Sequence, residues 1–207
     1  MARTAEESDE TTRVEAFSDG IFAIAMTLLV LEIRLPHEGP LSEGLLQLWP
    51  SYLAFLTSFA TIGVMWVNHH RLFNLIQRTD QGLLGLNLLL LLGVTFLPFP
   101  TAVVAQAIRS ADARLAAMFY NGVFIVIAIC WGVLWRYASH DRRLLGDDVD
   151  DGSVRGISRQ YALGPVYYMV AFVVAVFSPV ASVALNLLLA LFFAIPARAF
   201  HRQSMNP

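Results

Sequence analysis

Apolar residues occur in this chain as long blocks rather than in strict alternation, and the blocks set the expected elements. The first runs over about 16–35 and stops at Pro36. The second, about 48–72, opens on Trp49 and Pro50. The third, about 82–104, contains Pro98 and Pro100 in "FLPFP". It should kink or end early there, because proline lacks the N–H that a helix interior uses. A fourth block covers about 113–137, a fifth 161–178 and a sixth 180–200, the last two joined by a tight turn at Ser178 and Pro179. Most of these blocks come close to the roughly 20 residues that carry a helix across a bilayer. The pattern therefore predicts an all-α membrane protein with six transmembrane helices, one module over 1–207 with no soluble domain. No internal repeat is visible.

Composition agrees and removes alternatives. Apolar residues make up 57% of the chain and charged ones 14%, against about 25% charged in soluble domains. A soluble enzyme or binding module is therefore excluded. The net charge of −2 gives no reason to expect a nucleic-acid partner. All 14 basic residues are arginine, and their placement sets the orientation. With the N-terminus inside, eleven arginines fall on inner segments, while Arg34, Arg109 and Arg114 fall on outer ones. The positive-inside rule then puts both termini in the cytoplasm. The polar first fifteen residues lack a basic stretch followed by a small-residue cleavage site, so the first block is expected to stay as a helix. Cys130 is alone, which leaves no intrachain disulfide and makes it packing material. The one long loop, 138–160, is rich in arginine and aspartate and reads as a solvated cytoplasmic segment.

The chemistry worth following lies where the first block begins, "RVEAFSDGIFAIAMTLLVL". At about 100° per residue, Phe17, Ile24, Leu28 and Leu31 share a narrow stripe with Thr27 at its edge. Asp19 points roughly 110° away from the centre of Ile24, Thr27 and Leu31. A carboxylate at the edge of lipid needs a partner. The second block ends in "MWVNHHRLF", and topology brings Trp66, Asn68, His69, His70 and Arg71 to the depth of Asp19. An indole or imidazole N–H donating to Asp19 would fix both groups. Spacing alone leaves a plainer reading open, in which Ser18 or Asp19 caps the helix and Ile24, Leu28 and Leu31 are ordinary packing. Neighbouring histidines point apart on a helix and no ligand set accompanies them, so no metal site is expected. Asn87, Asn121 and Asn186 lie inside apolar blocks and should hydrogen-bond between helices. Several of Trp49, Trp131, Trp135, Tyr137, Tyr161, Tyr167 and Tyr168 fit interfacial aromatic belts.

These residues resemble a known family. An arginine followed by Phe-Ser-Asp at the mouth of the first membrane helix, here Arg13, Phe17, Ser18 and Asp19, is the signature of the transmembrane-protein-175 potassium channels, and "WVNHHRLF" matches them too. The resemblance covers the whole chain. It implies a bacterial six-helix subunit that forms a homotetramer in the inner membrane, with four first helices lining a central pore for potassium. Family members lack a "TVGYG" carbonyl filter, and so does this sequence. Their constriction is apolar and maps onto Ile24, Thr27 and Leu31, with Leu28 adjacent. Their Phe-Ser-Asp residues anchor the first helix, a role that maps onto Phe17, Ser18, Asp19, Trp66, Asn68, His69 and His70, with Arg13 joining them.

Two other classes compete. In a proton-coupled secondary transporter or proton leak pathway, Asp19, Glu32, His69 and His70 would relay protons, although no inverted repeat supports a carrier. A membrane-embedded enzyme would use Asp19 and His69 as an acid–base pair. No nucleophile motif or metal set accompanies them, so no enzyme is expected. No nucleotide, haem or flavin motif is present, so no cofactor is expected beyond permeating potassium.

Overall fold

The computed structural model describes residues 5–34 and 40–194. Helix α1 spans Ala5–Leu31 and α2 is the short Leu41–Gln47. Then follow α3 (Trp49–Leu75), α4 (Gln81–Phe96), α5 (Pro98–Ala107), α6 (Ala113–Ser139), α7 (Asp151–Phe177) and α8 (Pro179–Ala194). Among the described residues, five helices are long and apolar enough to cross a membrane, counting α4 and α5 as one span; α8 is a shorter apolar helix. The chain is a multi-pass membrane protein.

The boundaries depart from the apolar blocks where charge and helix coincide. Helix α1 begins about three turns before the first block, so the Phe-Ser-Asp motif lies inside the helix. The capping reading is overturned: Ser18 Oγ donates to the Val14 carbonyl at 2.8 Å, one turn back along a continuous helix. Glutamate and aspartate fill the start of α1, where the helix dipole favours negative charge. Helix α7 likewise starts at Asp151 and takes in part of what reads as a solvated loop. The end of the sixth block, 195–200, lies outside the described residues. Between α4 and α5 the helix breaks at Leu97, before Pro98. Trp131 and Trp135 are no interfacial belt, since both are buried in the bundle. Trp131 stacks on Tyr161 at 5.6 Å, and Trp135 Nε1 donates to Ser158 Oγ at 2.8 Å.

Polar side chains tie the helices inside the apolar interior. Ser58 bridges Thr101 (2.7 Å) and Tyr120 (2.8 Å), joining α3, α5 and α6. Asn186 donates to Asn121 Oδ1 at 2.9 Å, Asn121 donates to Ser182 Oγ at 2.8 Å, and Ser182 donates to the Ala171 carbonyl at 2.7 Å. In lipid, where water cannot compete, such chains set which helices stay together.

On the arginine-rich side, the α3–α4 connection is clasped to the α6–α7 loop. Ile76 and Leu145 form an antiparallel bridge, Gln77 N–H donates to the Leu144 carbonyl at 2.9 Å, and Gly146 N–H donates to Leu75 at 3.0 Å. The loop turns through Asp141 (φ 50°) and Arg142 (φ 57°), a left-handed region that costs a non-glycine residue energy. Arg142 is held there by Asp151 at 2.5 Å and by the Val149 carbonyl.

Asp80 organises this side. Its Oδ1 caps α4 by accepting from Leu83 N–H at 2.8 Å, and its Oδ2 accepts from Tyr137 Oη at 2.9 Å and Arg143 at 3.1 Å. Gly82 is required beneath Tyr137, because a Cβ there would collide with the phenol. Partial burial pushes the Asp80 carboxyl upward. The Leu83 amide, the Tyr137 hydroxyl and Arg143 outweigh it and hold the group below the usual carboxylate range. A depressed acid stabilises the fold above its unfolded pKa and loses that contribution as pH falls through the folded value. Thermal melts should therefore show acid destabilisation below the ordinary carboxylate range, with a flatter profile in Asp80→Asn. Parallel profiles for the two proteins would exclude Asp80 as the source.

Candidate functional site

Helix α1 packs on α3, α4 and α5 through one face only. Ser18, Phe22, Ala25 and Leu29 are buried there. The opposite face carries Phe17 (55% exposed), Ile24 (54%), Leu28 (38%) and Leu31 (71%). Thr27 is also exposed, and its Oγ1 donates to the Ile24 carbonyl at 2.8 Å. That bond spends the hydroxyl proton and leaves the oxygen lone pairs facing outward. All four constriction candidates therefore lie on the uncovered side of α1, in an apolar stripe with one oxygen.

The anchoring candidates divide. Trp66 Nε1 donates to Asp19 Oδ1 at 2.9 Å. One turn further toward the start of α1, Glu15 meets His70 Nδ1 at 2.6 Å, and His70 Nε2 meets Asn74 at 3.2 Å. Helices α1 and α3 run antiparallel, so pairs four residues apart on each form successive rungs. These two rungs lie on the surface of the bundle.

A second arm is buried. Ser18 Oγ, already donating to Val14, accepts from Asn87 Nδ2 at 3.0 Å. That fixes the Asn87 amide with Oδ1 facing His69 Nε2 at 3.0 Å. His69 Nε2 must then carry the hydrogen, because the carbonyl oxygen can only accept. His69 is 0% exposed, stacked on Phe73 at 4.3 Å and set edge-on to Phe22 at 5.3 Å. Its Nδ1 has no hydrogen-bond partner among the described residues. The hydrogen-bond chain runs from α3 through α4 to α1 with every donor assigned.

Ser18, Asp19, Trp66, His69 and His70 thus come together around α1. Arg13, Phe17 and Asn68 make no hydrogen bond or ion pair with these residues. Arg13 lines a groove with Leu84 and Leu88 of α4, and Phe17 is exposed on the apolar face. Asn68 points to the other side of α3, into a cavity of about 80 Å³ with Trp131 and Tyr168. Glu15 and Asn87 complete the network and were not assigned to it by the sequence pattern. Glu15 could have been found from its spacing, since it lies four residues before Asp19 just as His70 lies four after Trp66. Asn87 gave only the general signal of an amide inside an apolar run.

The fold and this site define a bundle of membrane helices whose first helix is pinned along one side and left apolar and open along the other. The family model described as "Endosomal/lysosomal potassium channel TMEM175" matches residues 13–98, which span every residue of the network. A potassium channel of Chamaesiphon minutus is 50% identical over 200 residues, covering 94% of this chain and 98% of that protein. The crystal structure of a lysosomal potassium-selective channel TMEM175 homolog from the same organism aligns with a TM-score of 0.82 at 50% identity, covering 90% of this chain and 97% of that one. The endosomal/lysosomal proton channel TMEM175 of Gallus gallus is 34% identical over 146 residues, which is 64% of this chain and 29% of that protein. The chain belongs to the TMEM175 family.

Proposed function

We propose that this protein is a potassium-permeable cation channel: a homotetramer in the bacterial inner membrane with both termini cytoplasmic and α1 of each subunit lining the pore. The observation that carries the reading is the division of α1 into a buried, polar-anchored face and an exposed face bearing Ile24, Thr27, Leu28 and Leu31. One helix cannot enclose a pore, so several copies must meet around an axis. The names of the bacterial relatives supply potassium as the ion.

The mechanism follows from the side chains. A ring of isoleucine and leucine offers no ligand to replace hydration water, so a narrow ring empties of water and blocks ions. Conduction requires the ring to widen until a largely hydrated ion passes. The aspartate and tryptophan rung and the buried serine, asparagine and histidine chain hold α1 at a fixed rotation, which keeps the apolar stripe aimed at the axis. Thr27 supplies the only side-chain oxygens within the stripe. Thr27→Ala should therefore lower discrimination of potassium over sodium, read as a smaller reversal-potential shift under bi-ionic conditions; an unchanged shift would remove Thr27 from selectivity.

The experiment that tests the function is a reversal potential. Purified protein in a planar bilayer, with potassium on one side and sodium on the other, should give single-channel currents reversing toward the potassium equilibrium value. Slow, saturable uptake without channel events would favour a proton-coupled carrier. The name of the Gallus gallus relative makes protons a second candidate ion. A pH gradient imposed at equal potassium should move the reversal potential if protons also pass.

A further inference from the structure

Helices α6 and α7 enclose a groove of about 460 Å³ without any contribution from α1. Its wall is apolar: Ile129, Gly132 and Val133 of α6 face Ala162 and Pro165 of α7. The notch has a simple cause. Gly132 has no side chain, and the nearest atom that a Cβ there would meet is the Tyr161 carbonyl oxygen at 3.8 Å. That carbonyl lies one helical turn before Pro165, whose nitrogen has no hydrogen to give it. A missing side chain and a missing backbone bond thus face each other across the helix pair.

Arg136 stands at the mouth of this groove, on the side where the α6–α7 loop emerges. It is exposed, and among the described residues no carboxylate pairs with it, nor with Arg155 or Arg159. Arg155 lies two turns before Ala162 on nearly the same stripe of α7, toward the loop end of the helix pair. The neighbouring acid Asp151 is already taken by Arg142. Seven residues separate Arg136 from Ile129, or about 10 Å of apolar wall below the charge. The site is therefore a permanent positive charge near the loop end of α6, beside an apolar groove.

We infer that this groove binds one anionic phospholipid of the leaflet on the α6–α7 loop side. Arg136 takes the phosphate with Arg155 beside it, and one acyl chain lies along Gly132 and Val133. Arginine suits this place because its planar fork grips phosphate oxygens while its stem rests on apolar surface. Each basic residue near an anionic leaflet contributes about a fivefold preference.

Native mass spectrometry of the full-length protein tests the site, using phosphatidylglycerol and phosphatidylcholine with identical acyl chains. Wild type should retain phosphatidylglycerol in preference. Arg136→Gln should cut that preference about fivefold, and Arg136→Lys should keep most of it. Gly132→Leu fills the notch and should lower retention of both lipids. If Arg136→Gln fails to fold, Arg155→Gln and Gly132→Leu carry the test. Equal retention of both lipids by wild type would make the groove a plain acyl slot and overturn the proposal. So would a preference that survives Arg136→Gln, or an Arg136→Cys variant that cross-links between subunits and assigns the face to a second copy.

Discussion

Asn87→Leu should cost the protein roughly 1–3 kcal/mol and scatter its helices at the α1 end. The substitution keeps volume but leaves two groups without their partner: the His69 Nε2–H, which donates to Asn87, and the Ser18 oxygen, which accepts from it. Both groups are buried, and an orphaned buried donor or acceptor costs about that much. The lower end applies if the helices find other partners within lipid, where interhelical hydrogen bonds average about 0.6 kcal/mol. Ser18→Ala should lose less, since it removes one acceptor and leaves the histidine satisfied. The double variant should be less damaged than the sum of the two, by about 0.5 kcal/mol or more. The readouts are thermal unfolding in detergent and oligomer yield by size exclusion. Simple additivity would mean that the three residues do not act as a chain.

The second large effect is expected at the proposed constriction. Ile24→Asn replaces an exposed apolar side chain on the open face of α1 with one that holds water. If four copies of this residue form the narrow point, wetting it removes the main barrier, and conductance should rise on the order of tenfold, equivalent to about 1.4 kcal/mol. Discrimination between potassium and sodium should fall with it, because a wider wet ring passes both ions hydrated. The fold should be unaffected, since Ile24 is not part of the packed face. Unaltered currents with normal assembly would return Ile24 to ordinary surface packing and move the constriction elsewhere.

The apolar blocks located the membrane helices but not their ends, and the reason is physical. Hydropathy reports which residues can sit in lipid. Helix formation needs only compatible backbones, and α1 and α7 both extend beyond the apolar blocks into stretches that carry charged residues. The break at Leu97 was legible because proline acts on the backbone itself. At the site, the meeting of Asp19 with Trp66 followed from depth alone, since antiparallel helices bring equal depths together. What depth could not decide was rotation. His69 and His70 are adjacent, yet one is sealed between Phe22 and Phe73 and the other lies on the surface beside Glu15. About 100° of helical turn separates them, and only packing says which faces inward. Asn68 went the other way for the same cause.

The fixed order of donors from His69 through Asn87 to Ser18 has one more consequence. A proton hops along a chain only if each member can gain one at one end and release another at the other end. A hydroxyl or an imidazole can do this, whereas the amide of Asn87 would first have to become an imidic acid. Asn87 is therefore an insulator set between a titratable ring and a hydroxyl. The buried brace from α3 through α4 to α1 therefore offers protons no relay through the helix packing.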